Sequence, residues 1–212
     1  MPQPLKSPRP QIPAMILAGG RGQRLGTRDK ALCQLGGRSF LAHTLLRLRT
    51  QCAPTAVNAN GDLSRFSDVD VQVVPDIIQG YLGPLAGILT ALDWAAQMGE
   101  TSVITVAVDT PFFPHDLAQC LQAKRQPNKI ALAATRDAHG ALWHHPTFGL
   151  WPTYLRDQLR ADILAGARKV TAWARSQGAE HVVFETDGFD PFFNINTPDD
   201  LQQAQAYLST RA

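Results

Sequence analysis

The chain has 212 residues, 44% of them hydrophobic and 18% charged, with a formal net charge of +2 at pH 7. This composition suits a globular protein of one domain and excludes an intrinsically disordered chain. So small a net charge argues against a broad nucleic-acid surface, and no apolar run reaches the ~20 residues that a membrane-spanning helix needs.

Residues 1–11 are rich in proline and lack the apolar core of a signal peptide. They predict a flexible tail ahead of a single domain over residues 12–212. Three scattered cysteines, Cys33, Cys52 and Cys120, form no C-x-x-C pair, so neither a disulfide framework nor a zinc site is indicated. A reducing, cytoplasmic setting is the simplest one for such cysteines.

Strands and helices are predicted to alternate along the rest of the chain. In chain order, strands are expected over 14–17, 55–58, 71–74, 102–108, 130–135, 142–151 and 181–184. Helices are expected over 40–51, 84–98 and 115–124, as one broken or two short helices over 152–177, and from 199 onwards. Turns are predicted at 36–37 and 137–140. This order predicts an α/β fold, a three-layer, Rossmann-like and mostly parallel sheet with helices on both faces.

Two of these helices have a predicted buried face. The helix over 40–51 begins after a Ser39 cap, and its apolar stripe consists of Leu41, Leu45, Leu46 and Leu48. The helix over 84–98 has proline in its first turn, a favoured position. Its inward residues are expected to be Leu85, Ile88, Leu89, Leu92 and Ala96.

The most informative segment follows the first strand, where residues 15–30 read MILAGGRGQRLGTRDK. Glycine lets backbone N–H groups approach a ligand, and arginine and lysine add charge where phosphates would lie. A flexible basic loop is the alternative, although such a loop has no need for this density of glycine and cations. Neither the P-loop nor the dinucleotide G-x-G-x-x-G spacing fits, because Gly20 and Gly22 are followed by Gly26, one residue too late.

Polar side chains follow several of the predicted strands. Asn58, Asp76 and Asp109 lie at or just beyond strand ends, where ligands bind in open α/β sheets. A carboxylate that ends an apolar strand suits Mg²⁺, which prefers oxygen ligands, but a turn cap explains Asp109 equally well. Asn194 and Asn196 precede the last helix and could share the metal, although on the residues alone a turn-capping role is favoured.

These features together resemble the opening signature of the molybdenum cofactor guanylyltransferases, L-A-G-G-x-x-x-R-M-G-x-x-D-K, within the sugar-nucleotidyltransferase superfamily. Leu25 replaces the usual methionine, and eight positions match: Leu17, Ala18, Gly19, Gly20, Arg24, Gly26, Asp29 and Lys30. Further blocks agree in order over about residues 12–210, at 57–60, 76, 83–87, 108–111, 145–147 and 194–198.

The resemblance implies a nucleotide-diphospho-sugar transferase fold and the transfer of GMP from GTP to the terminal phosphate of Mo-molybdopterin, with release of pyrophosphate. It implies catalytic roles for Lys30, Arg24 and Asp109, and Mg²⁺ held by Asp109 with Asn196 or Asn194, of which Asn196 is the better candidate. GTP contacts are expected from Leu17, Ala18, Gly19, Gly20, Lys30, Asn58, Asp76, Gly83 and Asp109. Molybdoenzyme chaperones are expected partners by family analogy alone, and neither nucleic acid nor membrane is expected.

Three other functions stay open from the sequence: a cytidylyltransferase for the same pterin, a sugar-phosphate nucleotidyltransferase and a catalytically inactive nucleotide-binding regulator. Gly19 argues against the first, because cytidylyl relatives usually have alanine there. The chain is short for many enzymes of the second kind. The presence of Asp109 and Lys30 argues against the third.

Two roles near the site are left open. Asp29 could orient Lys30 through a salt bridge or simply make the turn. His145 could be a general base, an orienting residue of the acceptor site or a packed strand histidine. A general base is disfavoured, because a phosphate nucleophile is already ionised and needs none.

Overall fold

The computed structural model of the protein describes residues 12–19, 29–80, 82–124, 126, 128–137 and 139–210. The predicted tail, Gly20 and Arg24 lie outside the described residues. The strands are β1 (Ile12–Leu17), β2 (Gln34–Leu35), β3 (Arg38–Ser39), β4 (Cys52–Asn58), β5 (Gln72–Val74), β6 (Ser102–Ala107), β7 (Ala131–Arg136), β8 (Leu142–Pro152) and β9 (Glu180–Val183). The helices are α1 (Phe40–Leu48), α2 (Pro84–Gln97), α3 (Leu117–Lys124), α4 (Arg156–Leu164), α5 (Val170–Ser176) and α6 (Pro198–Ser209).

Seven of the described strands form one sheet, in the order β5-β4-β1-β6-β8-β7-β9. The pairs β5/β4, β4/β1, β1/β6 and β7/β9 are parallel, and β8 is antiparallel to both β6 and β7. The prediction of a mostly parallel sheet is confirmed. The predicted turn between β7 and β8 is also present, where the N–H of Asp137 donates to the Ala141 carbonyl at 3.0 Å.

Helices cover both faces of the sheet, as predicted. On one face, buried residues of α1, α3 and α6 pack with β1, β6 and β7 in a core that includes Phe40, Leu121 and Ala204. On the other face, α2, α4 and α5 pack in a second core with Ile88 and Trp173. The broken helical segment over 152–177 resolves into α4 and α5, with Gly166 between them.

The predicted stripe on α2 is buried except at Ala96, which is half-buried. On α1 one predicted core position is wrong. Leu46 is 53% exposed, whereas Leu41, Leu45 and Leu48 are buried. Those three keep the spacing of three and four residues that places side chains on one helix face, and Leu46 is turned about 100° from Leu45.

The ribbon of β2 and β3 surrounds the predicted turn at Gly36 and Gly37, both of which have a positive φ. Short 3-10 helices cover Lys30–Leu32, Leu63–Phe66 and Thr153–Leu155. Among the described residues, no helix combines the length and the apolar character needed to cross a bilayer. Because β1, β4, β5, β6 and β7 point the same way, the loops after them meet at one edge of the sheet, here called the carboxyl edge.

Candidate active site

A cavity of about 290 Å³ opens at the carboxyl ends of β1, β4 and β6, and is called the nucleotide cavity below. Seven of the nine residues expected to contact GTP line it: Leu17, Gly19, Lys30, Asn58, Asp76, Gly83 and Asp109. Ala18 is buried behind the residues that line the cavity, and its N–H donates to the Asn58 carbonyl at 2.9 Å. The sheet therefore brings together residues that are far apart in the sequence.

Lys30 lies at the centre of the charged part of the cavity and is only 7% exposed. Its Nζ is 2.5 Å from Asp109 Oδ2. The same ammonium group donates to Asn196 Oδ1 and, at 3.4 Å, to Asn194 Oδ1. One carboxylate and two amide oxygens thus converge on a single positive charge, and these four side chains are called the cation cluster below.

Backbone hydrogen bonds hold the segments that carry the oxygens of the cation cluster. Asp109 follows β6, and its backbone carbonyl accepts from the N–H of Ile195 at 2.9 Å. That bond ties the end of the strand to the segment that carries both asparagines. At the start of α6, Asp200 Oδ2 accepts from the N–H groups of Asn196 and Thr197 at 2.9 and 2.8 Å, so a capping box holds Asn196 in place.

The oxygens of the cation cluster suit a divalent cation of the Mg²⁺ kind. Mg²⁺ is usually held by one or two carboxylates together with substrate phosphates. Within the described part of the chain, no group of three or more His, Cys, Asp and Glu side chains is placed to hold a metal. Asp109 with Asn196 or Asn194 supplies oxygen donors that could hold such a cation, and the Lys30 ammonium lies where these oxygens converge.

The opposite wall of the nucleotide cavity is a network of amides and a carboxylate. Asp76 accepts from Asn58 Nδ2 at 2.9 Å and from Asn60 Nδ2 at 2.7 Å, and its N–H donates to Asn60 Oδ1 at 2.9 Å. Helix α2 passes so close that a Cβ on Gly87 would lie 2.6 Å from Asn58 Oδ1. Glycine at position 87 is thus required by the packing of α2 against this wall.

Two other glycines of the cavity differ in what they permit. Gly83 precedes α2 with a φ of +80°, in the left-handed region that favours glycine. In contrast, a Cβ added at Gly19 would meet no atom of the described residues within 4 Å. A methyl group at position 19 is therefore compatible with the part of the protein that the structure describes.

Arg65 lies beside the site, and the sequence analysis missed it. Its Nε pairs with Asp29 Oδ2, its Nη2 donates to the Asn60 carbonyl at 2.9 Å, and its Nη1 donates to the Asp62 carbonyl. Asp29 Oδ1 also caps the 3-10 helix that begins at Lys30, by accepting from the N–H of Ala31 at 2.9 Å. Of the two roles considered for Asp29, turn formation is observed, and the partner of its salt bridge is Arg65.

His145 belongs to β8, and its side chain packs in an aromatic core outside the lining of the nucleotide cavity. Its Nε2 is 2.9 Å from Thr135 Oγ1, and its ring stacks on Phe192 at 4.3 Å between centroids. Burial lowers the pKa of His145 to about 4, an effect that His144 increases and Asp190 opposes. The side chain is therefore neutral at pH 7, as expected of the packed strand histidine.

Comparisons with known proteins point in one direction. Residues 14–182 match the family described as the MobA-like NTP transferase domain. A protein of Bradyrhizobium sp. (strain ORS 278) named molybdenum cofactor guanylyltransferase is 42% identical over 199 residues, which covers 92% of each chain. A protein of Rhizobium meliloti (strain 1021) with the same name is 46% identical over 205 residues, covering 92% of this chain and 91% of the relative.

The fold also matches a solved structure. Molybdopterin-guanine dinucleotide biosynthesis protein A from Archaeoglobus fulgidus superposes with a TM-score of 0.69 at 23% identity, covering 94% of this chain and 100% of that chain. This likeness confirms the predicted type of α/β fold.

Proposed function

This chain belongs to the MobA-like NTP transferase family, and we propose that it transfers GMP from GTP to the terminal phosphate of Mo-molybdopterin, with Mg²⁺ as cofactor. The relatives named for this activity cover nearly the whole chain. The observation that carries the proposal is the cation cluster at the nucleotide cavity, because nucleotidyl transfer between two anions requires positive charge at the point where they meet.

The reaction is an in-line displacement at the α-phosphorus of GTP. An oxygen of the acceptor phosphate forms a bond to that phosphorus, and the bond to the oxygen that bridges the β-phosphate breaks. The electron pair of the broken bond leaves with pyrophosphate. The nucleophile is already an anion, so no side chain has to remove a proton, which agrees with a neutral His145 outside the nucleotide cavity.

The residues act by position and charge, with no covalent intermediate. Lys30 donates to phosphate oxygens, for which it can exchange its 3.4 Å contact with Asn194, the longest of the three. Arg24, in the glycine-rich loop, adds a planar guanidinium that can grip a phosphate with two parallel hydrogen bonds. Asp109 with Asn196 or Asn194 would hold Mg²⁺, which when bound neutralises charge on the phosphates.

The amide and carboxylate wall is proposed to bind the nucleoside. Guanine presents adjacent N–H donors, and Asn58 and Asp76 offer oxygen acceptors at the cavity surface. Association with molybdoenzyme chaperones belongs to this proposal by family analogy alone.

The test is a competition assay in one reaction. Purified protein is supplied with Mg²⁺, Mo-molybdopterin and equal GTP and CTP, and the dinucleotide products are separated. We expect molybdopterin guanine dinucleotide and one pyrophosphate for each product molecule formed. Equal use of CTP would contradict the guanylyl assignment, and turnover only with a sugar phosphate in place of the pterin would favour a sugar-nucleotide enzyme. Binding of GTP without any turnover would indicate a regulator.

A further inference from the structure

A further cavity of about 370 Å³ opens at the same carboxyl edge, beyond β6, and is called the outer cavity below. Its lining comes from residues 135–137 at the end of β7, from Trp143 at the start of β8, and from Thr186 and residues 188–190 after β9. Because β8 is antiparallel to β6 and β7, its start lies at the edge where they end. The outer cavity and the nucleotide cavity therefore open on the same side of the molecule.

One stretch of backbone connects the outer cavity to the cation cluster. Phe189 and Asp190 line the outer cavity, and a few residues later Asn194 and Asn196 reach Lys30. Between them Phe192 is buried, with its ring stacked on His145. The same segment therefore contributes residues both to the outer cavity and to the cation cluster, so a molecule that lies along it would contact both.

Trp143 gives the outer cavity a flat apolar surface. Its side chain is 66% exposed, the largest aromatic exposure among the described residues, and it pairs across the sheet with Thr135. Aromatic faces of this kind stack well on planar heterocycles. The exposed Trp143 ring thus favours the binding of a planar ring in the outer cavity over the binding of a phosphate.

The charges of the outer cavity support the same choice. Asp137 and Asp190 outnumber Arg136, so the lining is formally negative and repels an anionic group. Asp137 Oδ1 is engaged by two turn N–H groups, whereas Asp190 Oδ1 accepts one, from Phe192 at 2.9 Å. Each carboxylate oxygen can accept twice, so Asp190 can still receive adjacent N–H donors from a ligand.

These observations also fix the direction of the acceptor. A molecule with a phosphate at one end and an amino-substituted, N–H-bearing ring at the other would place the ring in the negative aromatic cavity and the phosphate at Lys30. The 2-amino-4-oxo ring of a pterin has such adjacent donors. One guanidinium N–H of Arg136 donates to the Gly140 carbonyl at 2.8 Å. The remaining guanidinium N–H groups can donate to the carbonyl of the ring.

We propose that the outer cavity binds the pterin ring of the acceptor, stacked on Trp143 and hydrogen-bonded to Asp190. This assignment rests on the proposed function and adds the site for the second substrate. It predicts that residues of the outer cavity control the KM for the acceptor, while Asn58 and Asp76 in the wall of the nucleotide cavity control the KM for GTP.

The test compares Trp143→Ala with Tyr154→Ala, an equally exposed aromatic (64%) beyond the opposite end of β8. Loss of one stacking partner should raise the KM for Mo-molybdopterin roughly ten- to a hundredfold in Trp143→Ala. The KM for GTP should stay within about twofold of the wild-type value. Trp143→Phe should recover most of the lost affinity for the acceptor. Asp190→Asn should raise the KM for the acceptor and leave the KM for GTP unchanged. Tyr154→Ala should have wild-type values of both.

A binding measurement separates this assignment from the proposed function. Titration with 6-hydroxymethylpterin, followed by its own fluorescence, should show quenching that Trp143→Ala abolishes and Tyr154→Ala retains. An active wild type whose acceptor KM is unchanged in Trp143→Ala, or whose two KM values rise together, overturns the ring assignment alone. A wild type that transfers no GMP yet quenches pterin fluorescence through Trp143 overturns the proposed function and leaves the pterin site standing.

Discussion

Two regions at the carboxyl edge hold their side chains by different means. In the nucleotide region, formed by β1, β4, β5 and β6 with the loops that follow them, polar groups are fixed by hydrogen bonds, as when Asp76 accepts from two asparagines. In the aromatic region, formed by β7, β8, β9 and residues 184–193, rings are fixed by other rings. Phe192 contacts His145, Phe148 and Phe184 at centroid distances of 4.3, 5.0 and 5.4 Å.

The difference teaches where stability and activity are located. A buried ring contributes apolar burial and packing, so its loss lowers the free energy of unfolding. The cation cluster gathers a carboxylate and two amides around one ammonium, and arrangements of this kind are weak sources of stability but strong sources of catalysis. Substitutions in the nucleotide region are therefore expected to lower activity, and substitutions of the buried rings in the aromatic region, such as Phe192, to lower stability.

The largest effect is expected for Asp109→Ala. Removal of this carboxylate takes away the charged ligand proposed for Mg²⁺ and the 2.5 Å partner of Lys30. Turnover should fall by about a thousandfold or more at saturating Mg²⁺, with little change in the melting temperature. Steady-state kinetics and thermal unfolding measure the two quantities. Asp68→Ala, an exposed aspartate away from the site, is the control, and wild-type turnover in Asp109→Ala would refute the metal assignment.

Lys30→Ala should lower kcat/KM by about ten- to a hundredfold, because a hydrogen bond to a charged group contributes roughly 1.5–3 kcal/mol. GTP binding and transfer should weaken together. Arg28→Ala, which lies outside the described residues at a variable position of the motif, should be much milder. If the two variants have the same kinetics, the loop acts as a diffuse basic patch, and the specific role assigned to Lys30 in the nucleotide region is wrong.

Gly19→Ala should lower the preference for GTP over CTP by about tenfold, mainly through weaker use of GTP, since one methyl group in a pocket has an effect of this order. The protein around position 19 leaves space for the Cβ, so the melting temperature should not change. Gly87→Ala is the contrasting variant, because its Cβ would collide with Asn58 and should reduce stability as well. A full switch to CTP is not expected, because other residues contact the base.

The sequence predicted which residues belong to the nucleotide region better than it predicted which of them contact each other. Strand periodicity and the rule that ligands bind at strand ends were enough to bring Asn58, Asp76 and Asp109 to one edge. Contacts such as that of Lys30 with Asn196, 166 residues apart, depend on how α6 docks against the sheet, which no local pattern encodes. Arg65 was missed for the same reason, since its hydrogen bonds need the fold of two separate loops.

In the aromatic region, the predicted strands and turn were right, but the role of His145 could not be decided. Its neutral state follows from burial against Phe192, a residue 47 positions later, and burial is a property of the assembled core. Leu46 was misplaced for a related reason. Apolar character predicted burial, whereas the packing of α1 decided which leucines face the sheet.

A smaller effect is expected from the link between Arg65 and Asp29, which joins the loop after β4 to the turn that carries Lys30. Arg65→Ala and Asp29→Asn should each raise the KM for GTP by about five- to tenfold, and the double variant should be no worse than either single variant. Arg65→Lys should not rescue, because lysine cannot form the same three contacts at fixed angles. Additive effects in this double-mutant cycle would show that the two residues act independently.

The smallest effect on turnover, and the clearest effect on stability, is expected for His145→Gln. The pKa of His145 in the folded protein is about 4, below the ordinary 6.5, so the unfolded chain binds the proton more tightly. Stability from this group is present above pH 6.5 and is lost as the pH falls through 6.5 towards 4, by about 3 kcal/mol. Urea unfolding at pH 7 and pH 4 should show a smaller difference in the variant, and an unchanged difference would exclude His145 as its source.

The outer strands of the sheet have a consequence for how copies of the chain meet. The strands at the two margins, β5 and β9, are only three and four residues long. An edge strand has unpaired backbone N–H and C=O groups to which a strand of another chain can add, and a short edge strand offers few such groups. Addition of a strand from a second copy of the chain is therefore disfavoured at both edge strands, and the sheet is not expected to extend from one copy into the next.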